Sequence, residues 1–125
     1  MEFEITFNED DQFFIITTMG EFNIHDFENL AYQLLEDPNW KPGTNCIFDY
    51  RKTEFIKVGL KDFVRSKTLH SINDRLIGNG KSALVMKDLS NLGLGRIYGG
   101  MTEPFVETEF SFFTEYEKAY EWIKG

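Results

Sequence analysis

Three short apolar runs constrain this chain more than any other feature. They are "TNCIFDY" at 44–50, "KSALVMK" at 81–87 and "FVETEFSFF" at 105–113. Each is separated from the next by a stretch long enough for a helix. Strands spaced in this way cannot meet through a tight turn. They become parallel neighbours joined by right-handed crossovers.

The opening residues supply one antiparallel member. Phe3, Ile5 and Phe7 alternate with Glu2, Glu4 and Thr6, the pattern of a half-buried strand. "NEDD" reads as a turn, and "QFFIITTMG" as the returning strand, closed by Gly20. Asn23 is placed to cap a helix in which Ile24, Phe27, Leu30, Ala31 and Leu34 follow helical spacing. Pro38 and Pro42 forbid its continuation. A second helix starts near residue 58 with Leu60, Phe63 and Val64, but Leu69, Ile72 and Leu76 leave that stripe. Either the helix bends near Thr68 or its second half faces another surface. Apolar residues at 89, 92, 97 and 101 predict a third, glycine-rich helix. Thr114 and Glu117 have capping-box spacing before a closing helix whose inner face is Tyr116, Ala119, Tyr120 and Ile123. The expected order is β-β-α-β-α-β-α-β-α, a mixed sheet with helices packed on it, in one domain spanning 1–125.

Composition narrows the function classes. Thirteen phenylalanines among 125 residues favour a dense core and argue against disorder. No apolar run approaches the ~18 residues a membrane helix needs, and "MEFEITFNED" is not a signal peptide. One cysteine, Cys46, excludes an internal disulfide and suits a reducing, cytoplasmic setting. A net charge of −8 disfavours nucleic acid as a partner. The charge is segregated: residues 51–100 hold ten bases and four acids, between acidic ends.

The motifs divide into those that fail and those that stay open. "NLGLGRIYGG" at 91–100 matches a dinucleotide fingerprint only through Gly93 and Gly95, with Tyr98 where the third glycine belongs. No P-loop exists. Close packing of a glycine-rich helix on the sheet is the plainer reading. Asp49 and Arg51 end the third strand at the carboxyl edge, where open α/β sheets keep their crevices, and Arg96 and Tyr98 are candidates to converge there. Against that stands an Asp49 that merely orders the following loop, with Arg51 exposed. Lys57, Lys61 and Arg65 share one helical face and form a basic ridge with Arg51 and Lys52. The ridge is either a solvated face or a docking surface for an acidic partner or a phosphate head group. Leu69 and Ile72 extend that candidate surface, and with Leu76 offer a seam for self-association. His25 and His70 lack metal-ligand spacing, and no HExxH, CxxC or GxSxG is present. No catalytic residue, metal site or cofactor is assigned.

Three pieces in this order, "CIFDYRKTEF", "GLGRIYGGM" and "FSFFTEYEKAYEWIKG", resemble the SpoIIAA-like (STAS/SEC14-like) branch of the STAS superfamily over nearly the whole chain. The resemblance implies a four-layered α/β fold built on a mixed sheet, and a non-enzymatic, bacterial interaction or regulatory module. Anti-sigma factor antagonists of that superfamily carry a phosphorylatable serine at the start of the second helix. This chain reads Phe55-Ile56-Lys57-Val58-Gly59-Leu60 there and lacks it. The likeness to lipid-carrier folds implies an alternative role, binding a small apolar or anionic ligand at the carboxyl edge of the sheet.

Overall fold

The structure is a computed structural model that describes residues 1–56, 58–88 and 108–125, with Leu60 and Phe63 described by backbone alone. Its five strands lie in sequence order, β1 (Glu2–Asn8), β2 (Phe13–Glu21), β3 (Asn45–Glu54), β4 (Lys81–Val85) and β5 (Glu109–Phe113). The β1–β2 pair is antiparallel, and β2 to β5 run parallel, as the spacing of the apolar runs required. The helices are α1 (Ile24–Glu36), α2 (Leu60–Ile72), the single turn α3 (Asp74–Ile77) and α4 (Tyr116–Lys124). The helix expected over 88–101 lies outside the described residues apart from Asp88.

Side-chain alternation splits the sheet into two dry faces. Phe13, Ile47, Ala83 and Val85 point to one face and meet Ala119 and Ile123 of α4. Phe14, Ile16 and Cys46 point to the other and meet Leu30 and Leu34 of α1, together with Phe3, Ile5 and Phe7 of β1. The described elements therefore make three layers, α1 and α2 on one side and α4 on the other, where the resemblance implied four.

Local signals act much as the sequence suggested, with three differences. Asn23 does cap α1, its Oδ1 accepting from the backbone N–H of His25 at 2.9 Å and of Asp26 at 3.1 Å. The capping box expected at Thr114 does not form: α4 starts one residue later, and its N-cap, Glu115, makes no side-chain capping bond. β3 runs to Glu54 rather than ending at Asp49 and Arg51, because a register shift opposite Thr17–Met19 lets Lys52–Glu54 resume pairing with β2. The second helical segment breaks at Asn73, whose Nδ2 donates to the Leu69 carbonyl at 2.8 Å. The chain then makes the short turn α3.

One glycine fixes how the loops meet. Gly78 has φ +80°, and a Cβ there would lie 2.3 Å from the Gly43 nitrogen. Only a residue without a side chain allows this loop to sit against 42–44. Gly43 N–H donates to the Ile77 carbonyl at 2.9 Å, and Trp40 Nε1 donates to the Leu76 carbonyl at 2.7 Å. The end of α1 is thereby tied to α3.

Candidate functional site: an apolar cavity under an inverted helix

An α2 packed on a sheet should turn its apolar stripe inward and its polar residues to water. Among its described side chains the pattern is reversed, Leu69 excepted. Val64 and Ile72 are exposed, Ile72 at 76%, while Asp62, Ser66, His70 and Asn73 face the sheet. Those four positions follow i, i+4, i+8 and i+11, one face of the helix. Only Leu69 interrupts the polar character of this inner face among its described cavity-lining residues.

Beneath that face lies a cavity of about 130 Å³ between α1, α2 and the sheet. Its floor is apolar, built from Cys46, Phe48 and Tyr50 of β3, Leu84 and Met86 around β4, and Phe110 of β5. Its α1 wall is Leu30, Ala31, Leu34 and Leu35. Aromatic rings gather at one end, where Phe22 stacks on Phe55 with centroids 5.4 Å apart. Tyr50 meets Phe55 edge-on at 5.6 Å. The two helices that roof the space are tied by an ion pair between Arg65 Nε and Glu28 Oε1.

The polar wall is only partly satisfied. Thr108 has one hydroxyl proton, and it donates to the Gly78 carbonyl at 2.8 Å. Its contact with His70 Nε2 at 3.2 Å therefore has the ring nitrogen as donor. That fixes the tautomer and leaves Nδ1 as an unprotonated acceptor. Burial lowers the His70 pKa, opposed in part by Asp74, so the ring is neutral. Ser66 and Ser82 are 5% and 7% exposed, and neither hydroxyl has a hydrogen-bond partner among the described residues. Neither hydroxyl is a sealed orphan of the core: both open onto the space they line, where a group inside it can reach them. Asp62 is engaged: its Oδ2 accepts from Gly59 N–H at 3.0 Å. Burial also pushes the Cys46 thiol up, far from the thiolate a nucleophile would need.

The residues singled out in the sequence fall elsewhere. Asp49 and Arg51 point to the opposite face, and the cavity is lined by their neighbours Phe48 and Tyr50. They bind each other, Arg51 Nε to Asp49 Oδ1 at 2.9 Å and Nη2 to Oδ2 at 2.7 Å. The guanidinium lies 5.9 Å from the Tyr116 ring centroid. Burial alone would raise the Asp49 pKa, but side-chain and backbone hydrogen bonds from Arg51 outweigh it and hold the carboxyl below its ordinary range. This is the loop-ordering arrangement in a different place, on a continuing strand. Arg96, Tyr98 and Lys57 lie outside the described residues. Of the basic ridge, Lys61 is exposed and Arg65 is held by Glu28. Leu69 lines the cavity, whereas Ile72 is open to solvent. Ser66, His70 and Ser82 were not among the candidates. For Ser66 and His70 the only sequence signal was the misplaced apolar stripe of the second helix, and Ser82 on β4 had none.

Among the described residues no group of three or more His, Cys, Asp or Glu side chains could hold a metal ion. No helix there is long and apolar enough to cross a membrane.

A five-stranded mixed sheet with a helix pair on one face and a closing helix on the other is the architecture of a small α/β domain. No protein-family model matches this chain, and no curated protein does. Among solved structures, an uncharacterised protein of the DUF3478 family with a SpoIIAA-like fold, from Shewanella loihica PV-4, superposes with a TM-score of 0.65. The match covers 98% of this chain and 92% of that one at 15% identity. The chain thus has the SpoIIAA-like fold that its three sequence pieces suggested.

Proposed function

We propose that this protein is a non-enzymatic binding module whose cavity between α1, α2 and the sheet takes up a small apolar ligand. One observation carries the reading: a partly open, apolar-floored space of about 130 Å³ under a helix whose described inner residues, Leu69 apart, are polar. Dense cores leave few voids larger than a water molecule. An engineered cavity of about 150 Å³ lined by Leu, Ile and Phe takes up benzene. Drug-sized ligands need roughly 300 Å³ or more. The size therefore fits one ring or a short alkyl group. The muted Cys46 thiol and the pinned His70 favour binding over chemistry.

The test is a benzene titration followed by NMR of the methyl groups. The expected result is saturable shifts at Leu30, Leu34, Leu69 and Leu84. Shifts absent there, or spread over the surface, would refute the reading.

A second reading, docking of an acidic protein partner, is favoured by the outer face of α2 and the turn α3 that follows it. Val64, Ile72 and Leu76 are exposed apolar residues, and Lys61 lies beside them. Since Arg65 is held by Glu28, the informative variant is Lys61→Glu with Ile72→Asp rather than one that breaks this ion pair. It should abolish partner recovery from host extract while leaving the melting temperature unchanged; recovery at wild-type level sinks this second reading.

A further inference from the structure

The binding reading above leaves the ligand's polarity open, and the cavity wall supplies it. We infer that the ligand is a neutral molecule with an apolar body of about one ring and a single hydroxyl-type group, held by Ser66, His70 and Ser82. This inference rests on the apolar-cavity reading and specifies its ligand.

Three observations carry it. First, the hydrogen-bonding capacity on the cavity is asymmetric and unused. Ser66 on α2 and Ser82 on β4 line the cavity from opposite sides, both more than nine-tenths buried, both with unpartnered hydroxyls among the described residues. Second, the complementary acceptor is defined. His70 donates through Nε2 to Thr108, so its Nδ1 is a lone-pair acceptor one helical turn from Ser66. A hydroxyl is the smallest group that can donate to such an acceptor and accept from a serine at once. Third, the described wall disfavours an anion. No lysine or arginine lines the cavity among the described residues, and its one carboxylate, Asp62, carries the wrong sign. A buried carboxylate or phosphate with no counter-charge is strongly disfavoured. The described wall offers no counter-charge to a carboxylate or phosphate head group. Phenols and small alcohols do, and the aromatic lining at Phe48, Phe55 and Phe110 favours a ring.

The experiment is isothermal titration calorimetry at pH 7 of the full chain with benzene, phenol and benzoate as probes. Wild type, Ser66→Ala, Ser82→Ala and the double variant are compared. Phenol should bind wild type about tenfold more tightly than benzene, the scale of one or two well-placed hydrogen bonds. That preference should fall in each single variant and vanish in the double, with benzene affinity kept and benzoate not bound. Cooperative melting close to wild type confirms that the variants fold. Equal affinity for benzene and phenol in wild type overturns the inference and leaves the apolar cavity standing. A preference that survives in the double variant, or benzoate binding as tightly as phenol, overturns it too. Failure of both benzene and phenol to bind overturns the inference together with the reading beneath it.

Discussion

Filling the cavity should stabilise the protein and abolish its ligand binding together. Ala31 sits on the α1 wall, half-buried, facing the space between α1, α2 and the sheet. Ala31→Leu adds three carbons to that wall. A buried methylene contributes about 0.8 kcal/mol, so the gross gain is roughly 2.4 kcal/mol. Ordering a leucine side chain costs about 0.5–1 kcal/mol. Alanine and leucine differ little in helix propensity, so no large backbone term enters. The expected net gain is about 1–2 kcal/mol. For a chain of 125 residues that raises the melting temperature by roughly 4–8 °C. The assay is thermal unfolding followed by circular dichroism, checked by urea unfolding at unchanged slope. A second variant guards against a rotamer clash at one site: Ser82→Val replaces an unpartnered hydroxyl on the cavity with a methyl, adds a second methyl on a β-strand and should gain about 1 kcal/mol. In a core without the void, both substitutions would overpack and lower stability by about 1–3 kcal/mol. A fall in melting temperature for both variants therefore refutes the cavity, and with it the binding function built on it.

Two further predictions concern the frame around the site. Gly78→Ala should destabilise by about 1–3 kcal/mol, since Gly78 combines φ +80° with ψ −161° and abuts Gly43; a urea midpoint unchanged from wild type would contradict it. His70 makes stability pH-dependent, because its folded-state pKa lies below its unfolded value of about 6.5. The unfolded chain then takes up a proton first as pH falls. The His70 contribution is full above pH ~6.5 and is lost as pH falls from there through the lowered folded-state value. His70→Gln should flatten the stability profile in that window, and an equal slope in the variant would show that His70 is not the group responsible.

The architecture was legible because it rests on signals that tertiary context reinforces. The alternation at Phe3, Ile5 and Phe7 and the apolar runs around Ile47 and Ala83 encode burial directly, and the sheet places them as that pattern demands. The Asn23 cap is a local bond and needs no long-range partner. The site was less legible, for a physical reason. Sequence patterning assumes that apolar residues face inward, and α2 violates this at Ser66, His70 and Ile72. The departure of Leu69, Ile72 and Leu76 from the helical stripe was its visible trace. What it signified depends on Ser82, Phe110 and Ala31 arriving from three other elements. Asp49 and Arg51 looked like a strand end because a register shift in pairing leaves no mark on composition. Such violations of local rules concentrate at functional sites, where the chain carries the cost of a polar wall or a void.

Xenon is the most direct probe of the central claim, because it binds dry apolar cavities without needing any particular chemistry. Crystals of the wild type and of Ala31→Leu would be pressurised with xenon and compared by anomalous difference maps. The account predicts a xenon peak in the wild type between Leu30 and Leu34 of α1, Leu69 of α2 and Leu84 of β4, and its loss in Ala31→Leu. A wild-type map with no xenon in that space, at a pressure that loads a known apolar cavity, would contradict it.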